Sequence, residues 1–256
     1  MDLENIRVRP VWPKSKDEAW YETFAWLDEH EEKKGYLRHI PVWSYAASLL
    51  IPILLFCHFY AVTENAARGE QTEVQLPDRS MVTLNAESKI SYKPIEWWIL
   101  RKVTLEGEAC FEVKSGSRFS VLSGLNRVSV LGTTFNVYAR PEAYRVTCLT
   151  GKIEVNIDRE TVVLQPNMQA TCRERKIILT SNVVPAAATG WMQGKFVFDG
   201  TPLREVIAEV ERQYNINVAS DYDSNHLYSG VFTKTEKPEE VLEIIGKSFG
   251  ITFSIK

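Results

Sequence analysis

The feature that most constrains this chain is a run from Ile40 to Thr63, IPVWSYAASLLIPILLFCHFYAVT, which contains no Lys, Arg, Asp or Glu. Roughly 20 apolar residues rising about 1.5 Å each match a bilayer core about 30 Å thick. Trp43, Tyr45 and Tyr60 stand near its ends, where aromatic belts form. The competing reading is a helix buried in a protein core. Lys33, Lys34 and Arg38 precede the run and only Arg68 follows closely, so the positive-inside rule keeps the N-terminal segment in the cytoplasm. That segment is too long for the charged region of a cleaved signal peptide. The expectation is a single transmembrane helix over residues 41–63, with the N-terminus cytoplasmic and the C-terminus periplasmic. Pro52 would remove one backbone hydrogen bond in mid-span.

Residues 1–40 carry seven Lys/Arg against nine Asp/Glu, and the whole chain has a formal net charge of −3. That is not the basic footprint of a nucleic-acid-binding head. Ser15 and Glu18 form an S-x-x-E capping box, after which Trp20, Phe24 and Leu27 recur at helical spacing with Ala19 and Trp26 widening the face. The spacing predicts an amphipathic helix of about five turns, ending near Gly35. Forty residues cannot bury two tryptophans and a phenylalanine in a core of their own. The face must dock on a partner. The acidic opposite face (Glu22, Glu29, Glu32) favours a protein over an anionic lipid surface.

From Glu73 to about Thr180, short runs such as MVTL, KVTL, CFEV, VSVL, FNVYA, RVTCL, KIEVNI and TVVL alternate with turn signals. Pro77-Asp78, Glu106-Gly107, Gly116, Gly151 and Pro166-Asn167 mark the turns, and the spacing predicts a β-sandwich or rolled β-structure over residues 64–180. After a linker at 181–190, the order becomes strand (194–198), helix capped by Thr201-Pro202, strand (215–219), strand (228–232), helix opened by Pro238, strand (251–255). That is a small α+β split-βαβ domain over residues 191–256. An exposed edge of such a domain can add a partner's strand, with Phe196, Phe198, Tyr228 and Phe232 as candidate contacts.

Cys57, Cys110, Cys148 and Cys172 are too far apart for a metal site. The four histidines are dispersed, and Gly246-Lys247-Ser248 lacks the earlier glycine of a phosphate loop. Nothing predicts a cofactor, a metal or an enzyme's active site.

Three ordered motifs, LPDRSMVTLNAESKISY, LEGEACFEV and VLGTTFNVYA, resemble the core of FecR-type regulators, and WMQGKFVFDGTPLREVIAEVERQYNINV is similar to the C-terminal domain of their Bacteroidota branch. The sequence departs from that pattern at Arg79, where glycine is usual, at Cys110, where an aromatic is common, and at Asn167, where glycine again is usual. The resemblance implies an inner-membrane anti-sigma factor. Its cytoplasmic head, through Trp20, Phe24, Trp26 and Leu27, would hold an extracytoplasmic-function sigma factor. Its periplasmic part would receive the signalling domain of a TonB-dependent outer-membrane transporter, and release could involve an intramembrane protease. It also implies one self-cleavage candidate, the Gly132-Thr133 bond, where the threonine hydroxyl would attack the preceding carbonyl. The alternative function is a membrane-tethered module that binds a ligand or glycan and has no sigma partner.

Overall fold

The computed structural model describes residues 13–31, 42–158, 160–173, 176–219, 226–234 and 237–256. The chain divides into two compact units, Met1–Leu55 and Phe56–Lys256.

In the first unit, α1 (Lys16–Glu31) starts with the predicted capping box. The Glu18 amide donates to Ser15 Oγ at 3.2 Å, and the Ser15 amide donates to Glu18 Oε2 at 3.1 Å. Two otherwise orphaned N–H groups are satisfied reciprocally.

The apolar run forms α2 (Val42–Phe59), 18 residues with Pro52 inside. Strand β1 (Val62–Ala66) begins three residues later. Eighteen residues rise about 27 Å, short of a hydrocarbon core of about 30 Å. Among the described residues, no helix is long and apolar enough to cross a membrane. The predicted transmembrane helix over 41–63 is thereby corrected. The single-pass topology and the inner-membrane placement depended on that helix and fall with it.

The β-rich part continues with β2 (Thr72–Gln75), β3 (Met81–Leu84), β4 (Ser88–Tyr92), β5 (Arg101–Glu112), β6 (Phe119–Ser123) and β7 (Asn126–Val130). It is completed by β8 (Thr134–Arg140), β9 (Ala143–Cys148), β10 (Ile153–Ile157), β11 (Glu160–Leu164), β12 (Gln169–Arg173) and β13 (Lys176–Thr180). One layer runs β1-β4-β5-β6-β7-β10-β11, and the other runs β2-β3-β5-β8-β9-β12-β13. Strand β5 belongs to both: Arg101–Glu106 pairs with β4 and β6, and Gly107–Glu112 pairs with β3 and β8. The expected turn at Glu106-Gly107 is instead the bend where one 12-residue strand passes from layer to layer. Gly107 has φ +100°, and a Cβ there would lie 2.5 Å from Ser88 Oγ.

Val103, Leu105, Ala109 and Phe111 of β5 point inward with Val82, Ile90, Phe119, Phe135 and Val155, giving one apolar core between the layers. Glu108 and Cys110 point outward yet are also buried. They are covered by the C-terminal module. It begins with α3 (Pro185–Thr189) inside the expected linker, then a 3-10 turn over Gly190–Gln193. Strand β14 (Lys195–Pro202) pairs antiparallel with β16 (Leu227–Thr233), and β15 (Val218–Ala219) pairs with β17 (Ser254–Ile255). Helices α4 (Leu203–Tyr214) and α5 (Pro238–Lys247) complete the module. The element order is the predicted one, but the four strands form two separate pairs. Thr201 is the last but one residue of β14 rather than a cap, and the N-cap of α4 is Pro202, with no side-chain cap bond.

Candidate partner-binding sites

Helix α1 positions Trp20 and Phe24 one turn apart. Their rings stack at 4.4 Å between centroids with 10° between planes, and both are exposed, at 56% and 43%. An exposed stacked pair of this kind forms part of a hot-spot surface when a partner covers it. Trp26 and Leu27 lie on the same helix, and their side chains fall outside the described set.

The predicted C-terminal contacts are brought together, but in a core. Phe196 stacks on Phe232 at 5.0 Å, Phe198 lies 5.6 Å from Phe232 and 6.1 Å from Tyr228, and all but the partly buried Phe198 are buried. Their residue period of two makes them the inner face of the β14–β16 pair. On β16 the exposed face carries Leu227 and Val231.

Gly132 and Thr133 immediately precede β8. A Cβ at Gly132 would meet Ser115 Cα at 2.7 Å, so the glycine is explained by close packing alone. The Thr133 hydroxyl is buried and has no hydrogen-bond partner.

Sequence reasoning missed the seam between the β-rich part and α4. Val206, Ile207 and Val210 face the module's core, while Glu205, Glu209, Arg212 and Gln213 are buried on the other side. Asn85 donates to Glu108 Oε2 at 2.8 Å and to Glu209 Oε1 at 3.2 Å, so one amide bridges two carboxylates. Asn136 donates to the other Glu108 oxygen at 2.8 Å. Gln213 donates to Asn85 Oδ1 at 2.6 Å, and Arg212 donates to Glu209 Oε2 at 3.0 Å. Arg145 and Arg173 both pair with Glu205, the latter at 2.8 Å, and the Arg145 guanidinium lies 4.1 Å over the Tyr138 ring.

Burial, followed by the Glu209 charge, raises the pKa of Glu108 above the ordinary carboxylate range. Burial works in the same direction on Glu209, but the Arg212 and Arg140 guanidiniums and the Gln213 bond bring it below that range. Burial also pushes the Cys110 thiol up to about 12. The signal for this seam was present in the sequence: EVIAEVERQ places Glu205, Glu209 and Arg212 at spacings of four and three, opposite an apolar stripe.

Two family matches cover much of the chain: one described as FecR protein over residues 62–154, the other as FecR, C-terminal, over 195–256. The fold is similar to two crystal structures from Parabacteroides distasonis, each of a protein put forward as an anti-sigma factor. The 1.65 Å structure is 30% identical with a TM-score of 0.67, covering 76% of this chain and 99% of that one. The 2.50 Å structure is 28% identical with a TM-score of 0.68, covering 77% and 98%. No protein of curated function matches.

Proposed function

The chain belongs to the FecR family, and on that premise we propose that it is a non-enzymatic regulator of the anti-sigma type. The observation that carries the proposal is the capped helix α1, with Trp20 and Phe24 stacked and uncovered. Such a face is incomplete without a protein partner. The partner is an extracytoplasmic-function sigma factor, held by Trp20 and Phe24 together with Trp26 and Leu27. The description of both Parabacteroides structures as anti-sigma factors supports the same reading. The second partner is the signalling domain of a TonB-dependent transporter. It meets the C-terminal module at the open edges of the β14–β16 pair, while Phe196, Phe198, Tyr228 and Phe232 keep that pair in shape.

The test is co-purification of the full chain with the host's sigma factors, beside a Trp20→Ala, Phe24→Ala double variant. The wild type retains one sigma factor, and the double variant loses it by about tenfold or more, as expected for a removed aromatic anchor. Equal recovery by both proteins, or by neither, refutes the reading. Thr133→Ala tests the self-cleavage candidate at the same time: two fragments joining at 132/133 in the wild type, and one intact chain in the variant, would establish it.

A further inference from the structure

The β-rich part and the C-terminal module each close a core of their own. The core between the two layers takes no residue from the module. The module's core takes only Cys110 and, at its margin, Leu149 from the β-rich part. Among the described residues, no strand of the module pairs with a strand of the β-rich part. The chain crosses from one to the other through residues 181–184, where Asn182 has φ 62° and Val184 is exposed. A short connection with such a backbone can serve as a hinge.

The seam that holds the two together is polar. Arg145 and Arg173 pair with Glu205, and Asn85 bonds to Glu209 and Gln213. The Gly69 amide donates to the Arg212 carbonyl at 2.7 Å, and Gln71 donates to the Trp191 carbonyl at 2.8 Å. Water can replace every one of these bonds at small net cost, whereas it cannot replace apolar burial. The seam is also loosely packed. A cavity of about 590 Å³ lies in it, lined by Thr147, Gln169 and Thr171 on one side and by Phe198, Thr201 and Glu205 on the other. A protein interior has no void of that size. Three buried atoms at the seam, Glu142 Oε2, Arg173 Nε and Gln213 Oε1, lack a partner and would gain water on opening.

We propose that the C-terminal module is a hinged lid that lifts reversibly from the β-rich part as an intact body, with Glu205 between Arg145 and Arg173 as its latch. Polar interfaces within a chain permit such domain motion, and large apolar ones prevent it. A ligand or protein with unequal affinity for the docked and lifted states shifts their balance, which couples the module to the β-rich part. The latch uses none of the residues assigned to the sigma factor or to the open strand edges, so it stands or falls apart from the anti-sigma reading.

Two cysteines report on the two kinds of opening. Cys110 is buried beneath the module, and Cys148 is wholly buried between the layers. The experiment follows alkylation of the full chain by N-ethylmaleimide at urea concentrations below the unfolding midpoint. Peptide mass mapping separates these thiols from Cys57 and Cys172. In the wild type, Cys110 reacts faster than Cys148 and with a shallower dependence on urea, as sub-global opening requires. Glu205→Gln accelerates Cys110 about tenfold or more, and Arg173→Gln, on the other side of the latch, acts in the same direction. Val155→Ala, in the core between the layers, accelerates Cys148 about tenfold and leaves Cys110 unchanged. If Val155→Ala accelerates both thiols equally, Cys110 is reached only by global unfolding and the lid is refuted. A Cys110 rate indifferent to both latch substitutions refutes it as well.

Discussion

Arg79 stands in the left-handed region with φ 65°, in the turn between β2 and β3. For a residue with a Cβ that conformation costs roughly 1–2 kcal/mol. The turn is held nonetheless by its neighbours. Asp78 accepts from the Ser80 amide at 3.0 Å and from Arg101 Nε at 2.8 Å, and the Ser80 hydroxyl accepts from the Lys114 amide at 3.0 Å. The Arg79 side chain has no part in those bonds, so the strain can be relieved without undoing them. Arg79→Gly should therefore raise stability. The gain is about 0.5–1 kcal/mol, the relieved strain less the extra freedom glycine carries in the unfolded chain. A urea midpoint measured with unchanged m-value checks it. A lower midpoint would mean that the guanidinium holds the turn. Asn167, at φ 63°, needs no such correction, because asparagine tolerates this region better.

At the scale of elements, what could be read from the sequence was whatever is local. The Ser15–Glu18 cap, the start of α5 at Pro238 and most of the short strands follow from neighbours a few residues apart. The apolar run was misread because composition reports hydropathy, while helix length is set by where the next element begins, here β1 at Val62. KVTL and CFEV looked like two strands because Glu106-Gly107 has the chemistry of a turn. Only the long-range partners on β4 and β8 make them one strand. That role gives the glycine a measurable value. Gly107→Ala must place a methyl group 2.8 Å from Ser88 Cα at a φ that alanine resists. We expect a loss of about 2–4 kcal/mol, combining strain and overpacking. Chemical denaturation would measure it, and Gly124→Ala, where a Cβ meets nothing within 4 Å, serves as a positive-φ control with a smaller loss. Equal losses at the two sites would show that the approach to Ser88 is unimportant.

At the scale of the whole molecule, stability should follow the protons held between α4 and the β-rich part. The candidate site was least legible here, since Asn85, Glu108, Asn136 and Glu209 come from four separate places in the chain. Glu108 faces Glu209 on α4, Arg140 on β8, Arg145 on β9 and Cys110 on its own strand. With its folded pKa raised, the folded state binds more protons than the unfolded one at pH values just above the ordinary carboxylate range. Stability therefore falls as pH rises through that window. Glu209 has the opposite sign: its contribution is present above the ordinary range and is lost as pH falls through its lowered value. Both Glu108 oxygens accept from asparagine amides at 2.8 Å, so a proton on Glu108 requires one of these amides to turn over. Turning the Asn136 amide over would let its orphaned oxygen accept from the Glu108 hydroxyl and leave its NH₂ toward the cavity. Glu108→Gln reproduces that neutral arrangement, so it should leave the melting temperature at pH 5 nearly unchanged and raise it relative to wild type at pH 8. Glu209→Gln strips Arg212 of its closest carboxylate and should lower it at both, by the equivalent of about 3 kcal/mol or more. A Glu108→Gln protein that melts lower than wild type at pH 8 would show that the seam is held by two ionised carboxylates rather than by one carboxylate and one acid.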